Sequence, residues 1–174
     1  MLTLVTGGSG SGKSEFAEDM SVSYESKNLI YIATMFPYDD ECFKKIERHR
    51  IMRENKNFST IESFINLKEV EIPEHSTVLL DCMSNLVANE MYHENGAKEK
   101  TVDSILEGIK HINSIADNFV IVTNEVFSDG IEYDSETKKY LKNLGDINCE
   151  IGRISDNVVE VVYTIPIYHK GGKV

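Results

Sequence analysis

The chain has 174 residues, 41% of them hydrophobic, with 29 acidic against 18 basic side chains and a formal net charge of −11. That length and apolar share suffice for one globular domain with a real core. With only three prolines and no Gly/Ser/Pro tract to act as a linker, residues 1–174 read as a single unit. A polyanion-binding surface needs a local surplus of Lys and Arg; no such run occurs, which argues against a nucleic-acid partner. Cys42, Cys82 and Cys149 are far apart and form no CxxC pair, so neither a disulfide framework nor a zinc site is suggested. Met1 is followed at once by a core strand, leaving no room for a signal peptide, and no apolar stretch reaches membrane-span length. A soluble, cytoplasmic protein is expected.

The first element is a short apolar strand, Leu2 to Thr6, which runs into Gly7-Gly8-Ser9-Gly10-Ser11-Gly12-Lys13-Ser14. This is G-x-x-x-x-G-K-[ST], the phosphate-binding P-loop. Glycines let backbone N–H groups curl around an anion, and the next helix aims its positive end at the same phosphates. Lys13 reaches the β- and γ-phosphates, and the Ser14 hydroxyl holds Mg²⁺. The loop alone could be a flexible turn, but strand, loop and helix come in the required order. In the helix, Phe16, Ala17, Met20 and Tyr24 recur at helical spacing.

Leu29 to Ala33 reads as a second buried strand. The segment from Asp39 to Arg53 follows, acidic at its start and cationic at its end, as a helix dipole prefers. Counting by threes and fours puts Cys42, Ile46, His49 and Arg53 on one stripe, with Lys45 beside it. Arg48, Arg50 and Arg53 around His49 would disfavour imidazole protonation and could clamp phosphates, a setting for a histidine that attacks an α-phosphate. The alternative is a solvated basic helix end with an incidental histidine. Both stay open on spacing alone.

Val78 to Leu80 is a third buried strand, ending in Asp81. A carboxylate there suits the Mg²⁺ shell of a P-loop protein; otherwise it caps the helix starting near Ser84. Val102, Ile105, Leu106, Ile109, Ile112 and Ile115 mark an amphipathic helix. Phe119 to Val122 and Val158 to Val162 are expected to be strands buried on both faces, the former followed by the strand-end polar pair Asn124-Glu125. His169 to Val174 reads as a loose tail, and His75, His93, His111 and His169 receive no role. Strands alternating with helices predict an α/β fold with a mostly parallel sheet covered on both sides, of the P-loop NTPase type.

Taken together, these residues resemble the bifunctional adenosylcobinamide kinase / adenosylcobinamide-phosphate guanylyltransferase family of cobalamin biosynthesis. The likeness is carried in order by Leu4 to Gly8, Ser11 to Ser14, Tyr31 to Thr34, Asp39 to Glu41, and Ile46 with His49, Arg50 and Arg53. It continues through Thr60-Ile61-Glu62, Leu80 to Ser84 with Leu86, Val87 and Asn89, and Val122 to Val126. The resemblance implies a RecA-like three-layer domain, ATP and GTP as substrates with Mg²⁺, and a homotrimer. It also implies two reactions: phosphorylation of adenosylcobinamide, then transfer of GMP through a guanylylated histidine, matched here by His49, giving adenosylcobinamide-GDP and pyrophosphate. By position, Ile32, Ala33 and Thr34, His49, Arg50, Ile51, Met52 and Arg53, Glu62 and Asp81 are implied to contact nucleotide alongside Gly7 to Ser14. Gly10 stands where the family usually has Arg, Lys45 replaces an Arg, Phe58 a Trp, and Phe127-Ser128-Asp129-Gly130-Ile131 lacks the family's proline. On the residues alone, two rivals remain: a P-loop kinase for another small alcohol or nucleotide with no covalent intermediate, and a non-catalytic nucleotide-binding module.

Overall fold

Hydrophobic alternation along each strand builds the architecture, because it sends successive side chains into two different apolar layers. The computed structural model describes residues 1–38, 40–127 and 130–172, without the side chains of Glu41, Lys45 and Met52. Asp39, Ser128, Asp129 and the last two residues, all of which figured in the sequence reading, lie outside the described residues. The strands are β1 (Leu2–Thr6), β2 (Asn28–Ala33), β3 (Ser59–Glu62), β4 (Ser76–Asp81), β5 (Asn118–Val122), β6 (Asn157–Val162) and β7 (Ile165–Lys170). The helices are α1 (Lys13–Ser23), α2 (Asp40–Arg53), α3 (Met83–Tyr92), α4 (Thr101–Ile115) and α5 (Ser135–Ile154).

All seven strands join one sheet in the order β3-β2-β4-β5-β1-β6-β7. Every pairing is parallel except β6 with β7. Leu4, Ile32, Leu80 and Ile121 face a core shared with α3, α4 and α5, through Leu86, Ile105, Ile109, Leu144 and Ile147. Val5, Tyr31, Leu79, Val120 and Val122 face the opposite layer, where Ala17 and Met20 of α1 pack. This is the expected three-layer α/β arrangement with a mostly parallel sheet.

Register positions the site. Val5 pairs with Val122, Val122 with Asp81, Asp81 with Ala33, and Ala33 with Glu62. These five residues form one row across the carboxyl edge of the sheet. Paired residues of parallel strands point to the same face, so Asp81, Ala33 and Glu62 share the face that carries Val5 and Val122 against α1. Ligands of open α/β sheets bind outside this edge.

Two expectations fail at the other end of the sheet. Residues 169–170 belong to strand β7, not to a tail. The turn into β7 is Tyr163-Thr164, both at positive φ (49° and 67°), a backbone that two-residue hairpins require. Tyr-Thr carries none of the Asn-Gly spelling that announces such a turn, so the hairpin was invisible in the sequence. β6 is also not buried on both faces: Val159 and Val161 are buried while Val158, Glu160 and Val162 are half-exposed, because only β7 lies beyond it.

Candidate active site

The loop after β1 is held from several sides. Ser11 N donates to Gly8 O (3.2 Å), Glu125 N to Gly7 O (3.0 Å) and Thr164 N to Ser11 O (2.8 Å). Gly12 sits at the N-terminus of α1 with φ 89°, a left-handed conformation that glycine adopts without Cβ strain. Lys13 is 8% exposed, and its Nζ donates to Gly8 O at 3.1 Å. Burial pushes its ammonium below the ordinary lysine range, an effect opposed by the nearby acidic groups, of which the Asp81 carboxylate is the charged one. A polyphosphate laid on the loop would reverse that burial cost by supplying anions to a cation already in place.

Asp81 lies between two helices. On one side it acts electrostatically on Lys13 of α1. On the other its Oδ2 is 3.9 Å from Nδ1 of His49 on α2. Both atoms are buried and neither has a hydrogen-bond partner among the described residues. The helix following β4 takes Cys82, not Asp81, at its N-cap position, with no side-chain cap. The alternative that Asp81 merely caps α3 therefore falls. The structure adds a carboxylate beside His49, while Arg50 and Arg53 line the same cavity. Arg48 is exposed, Arg50 pairs with Glu62 at 3.3 Å, and Arg53 lies 3.4 Å over the Tyr31 ring.

A cavity of about 290 Å³ opens beside His49, walled by Ala33, Ile46, Arg50, Arg53, Glu62 and Asp81 among others. The sequence-derived set divides on this geometry. Ala33, His49, Arg50, Arg53, Glu62 and Asp81 are brought to one cavity. Gly8, Ser9 and Gly10 are exposed on the loop, Gly7 and Ser11 are buried, and Gly12 and Ser14 are half-buried. Thr34 is buried; its Oγ1 donates to Cys82 O and accepts from Cys82 N, each at 2.8 Å, while Asn89 Nδ2 donates to Thr34 O at 2.8 Å. Two residues do not join. Ile32 is fully buried in the opposite core layer, because it is one residue out of phase with Ala33. Ile51 is 61% exposed and away from the cavity wall. The backbone of Met52 lies in α2, and its side chain is outside the description.

Asn124 and Glu125 serve the scaffold around the site. Asn124 Nδ2 donates to Ser84 Oγ at 2.6 Å, and Glu125 Oε1 accepts from Phe127 N at 2.9 Å. Cys82, next to Asp81, is 8% exposed with its thiol pushed up by burial. That keeps it a packing group, consistent with a structural role for the strand end.

Residues 3–168 match the family described as cobinamide kinase / cobinamide phosphate guanyltransferase. The chain belongs to that family. It is 30% identical over 182 aligned positions to the bifunctional adenosylcobalamin biosynthesis protein CobU of Escherichia coli (strain K12), covering 96% of this chain and 98% of the relative. The same-named protein of Salmonella typhimurium (strain LT2) is 28% identical with the same coverage. Among solved structures, the flagellar accessory protein FlaH of Methanocaldococcus jannaschii superposes with TM-score 0.56 at 12% identity, over 98% of this chain and 78% of the other. A prototypical ATPase of a bacterial type III secretion system gives 0.51 at 9% identity, over 91% and 50%. Likeness at such identity is one of fold alone, and it agrees with a RecA-like P-loop domain.

Within this family member, sequence reading missed Glu18 and Lys56. Glu18 is fully buried on α1, and its Oε2 is 3.0 Å from Lys56 Nζ. The available signal was its place beside Ala17, Ser21 and Met20 on the inward side of α1, where a glutamate has no business without a partner.

Proposed function

We propose that this enzyme phosphorylates the primary alcohol of adenosylcobinamide with ATP or GTP, then carries GMP from GTP on His49 to the resulting phosphate. The observation that carries the reading is Asp81 set between Lys13 and His49. One carboxylate thus acts on the P-loop cation and stands beside the imidazole, in the lining of a nucleoside-sized cavity.

In the guanylyl step the P-loop amides and Lys13 hold the outer two phosphates of GTP, while the cavity takes the nucleoside. With Nδ1 facing Asp81, Nε2 of His49 is the nitrogen free to attack the α-phosphorus. The N–P bond forms, the bridging P–O bond to the β-phosphate breaks, and pyrophosphate leaves on the P-loop. An oxygen of adenosylcobinamide phosphate then attacks the same phosphorus, the P–N bond breaks, and the imidazole is regenerated. Two displacements replace one, each with a better-placed nucleophile. In the kinase step the alcohol oxygen attacks the γ-phosphorus held by Lys13, its proton passes to solvent, the β,γ-bridging P–O bond breaks, and the nucleoside diphosphate leaves.

The Ser14 hydroxyl and the Asp81 carboxylate are hard oxygen donors, and Asp81 Oδ2 is buried with no hydrogen-bond partner among the described residues. Such a pair suits Mg²⁺, which usually keeps waters and phosphate oxygens as its other ligands and neutralises phosphate charge when bound. Among the described residues no helix is long and apolar enough to cross a membrane, and the reading places the enzyme in the cytoplasm as a homotrimer.

The test is intact-protein mass after incubation with GTP and Mg²⁺, repeated with ATP and with His49→Asn. A GMP-sized, acid-labile gain with GTP that disappears in the variant is the expected result. Undiminished labelling of His49→Asn would remove this residue from the mechanism. No adduct under any condition would leave a P-loop kinase without a covalent intermediate.

A further inference from the structure

Helix α2 carries His49, yet among its described side chains the apolar hold on the protein is slight, with Ile46 half-buried. Phe43 and Ile51 are exposed at 57% and 61%, and among the described side chains of α2 only Arg53, its last residue, is buried. The ion pair between Arg50 and Glu62 has both partners more than half exposed, a class of contact that contributes little to position or stability. Something other than hydrophobic packing must fix where His49 stands.

The buried end of α2 supplies it. Arg53 lies flat over Tyr31 of β2 at 3.4 Å. Three residues on, Lys56 is tied back by its N–H to Arg53 O at 2.9 Å. Its ammonium reaches across to α1, 3.0 Å from Glu18 Oε2 and 2.7 Å from Asp19 Oδ1. Glu18 is fully buried, and its Oε1 and Arg53 Nη1 are each buried without a hydrogen-bond partner among the described residues. Arg53 and Lys56 are the cations acting on Glu18. One buried carboxylate on the P-loop helix is thus paired with Lys56, just beyond the histidine helix, and lies within the electrostatic reach of Arg53. Glu18 is five residues from Lys13, roughly 7.5 Å along α1, and Arg53 is four residues from His49, about one turn of α2.

We propose that Glu18, with Lys56 and Arg53, is the strut that sets α2 against the P-loop helix, making Glu18 a positioning residue for His49. The inference rests on His49 being the guanylyl carrier. Its consequence is that the distance between the phosphate-holding lysine and the attacking imidazole is governed by a charge cluster whose carboxylate and lysine, Glu18 and Lys56, lie outside the cavity lining. Misplacing a nucleophile by about 1 Å costs on the order of a hundredfold in rate.

The experiment compares wild type with Glu18→Gln, Lys56→Met and Lys56→Arg. The rate of GMP adduct formation at saturating GTP is expected to fall roughly ten- to a hundredfold in the first two. Lys56→Arg, which keeps the cation, should return most of it. Binding of inorganic pyrophosphate to the P-loop should stay within about threefold in all of them, since the loop itself is untouched. Amide hydrogen exchange without nucleotide should quicken over residues 44–56 and not over 2–14. A merely stabilising role would instead lower the melting temperature and leave the saturated labelling rate of the folded fraction unchanged, which overturns the inference. If Glu18→Gln fails to fold, a wild-type rate in Lys56→Met overturns it alone. If wild type forms no adduct, the reading of His49 has failed; unchanged exchange over 44–56 then overturns the strut separately.

Discussion

Gly7 shows how tightly the anion loop is specified by atoms outside it. A Cβ added there would lie 2.5 Å from Val161 O and 2.7 Å from Ser11 Oγ, on a backbone at φ +154°. Gly7→Ala is therefore expected to lower stability by about 1–3 kcal/mol and to weaken GTP binding by at least tenfold, because the loop must open to relieve the contact. Urea unfolding and calorimetric titration with GTP check this; a variant with wild-type values in both would mean the loop tolerates the intrusion. Gly10 is different, with nothing within 4 Å of an added Cβ. There is space for a side chain there, but the φ of +71° still favours glycine, so the constraint at Gly10 is the backbone and not a neighbour. At this scale the sequence was legible wherever one motif names both chemistry and place. Lys13 and Asp81 follow from a strand, a glycine loop and a strand end. Partners across elements were not legible: nothing in the spacing of Tyr31 and Arg53, or of Glu18 and Lys56, says that they meet, since those contacts depend on how the fold brings α1, β2 and the end of α2 together. The carboxylate beside His49 was not legible for the same reason. Nearness in sequence suggested Arg50 and Arg53, which do line the His49 cavity, and could not show that the fold also brings Asp81 to the imidazole.

Among elements, α4 and α2 are opposites, and the contrast decides what mutations do. Ile105, Ile109 and Ile112 of α4 are fully buried against the sheet. Ile109→Ala should cost about 2–5 kcal/mol through lost transfer energy and the cavity left behind, with the GTP-labelling rate of the folded enzyme unchanged. Denaturant unfolding beside a labelling time course separates the two effects; a stability loss below about 1 kcal/mol would mean the core collapses around the gap. The 3.6-residue period of α4 and the apolar runs of β2, β4 and β5 were legible because burial on one or two faces writes itself into hydrophobicity. The short strand β3 and the edge strand β7 were not. Their patterns, mostly exposed with half-buried positions, resemble loops, and the β6–β7 turn lacks glycine. α2 was legible through its charges instead, acidic first and basic last.

For the whole molecule, the edge hairpin links assembly to the site. Tyr163, Ile165 and Ile167 of the β6–β7 hairpin are 87%, 64% and 44% exposed, an apolar strip on an edge strand whose unpaired backbone invites another chain. The same turn holds the P-loop through Thr164 N to Ser11 O. With a homotrimer proposed above, this strip is the face a neighbouring subunit would cover. Sedimentation equilibrium at micromolar concentration should give a species near three times the 19.7 kDa chain mass. Ile165→Lys, which puts a charge on the strip but leaves Thr164 in place, should shift that mass toward one chain. Wild type sedimenting as a monomer would remove the trimer, and a trimeric Ile165→Lys would move the interface away from this edge. If the variant is monomeric and still forms the GMP adduct at the wild-type rate, the catalytic row of the sheet is complete within one subunit. That outcome is expected because Lys13, Asp81 and His49 all come from the same chain.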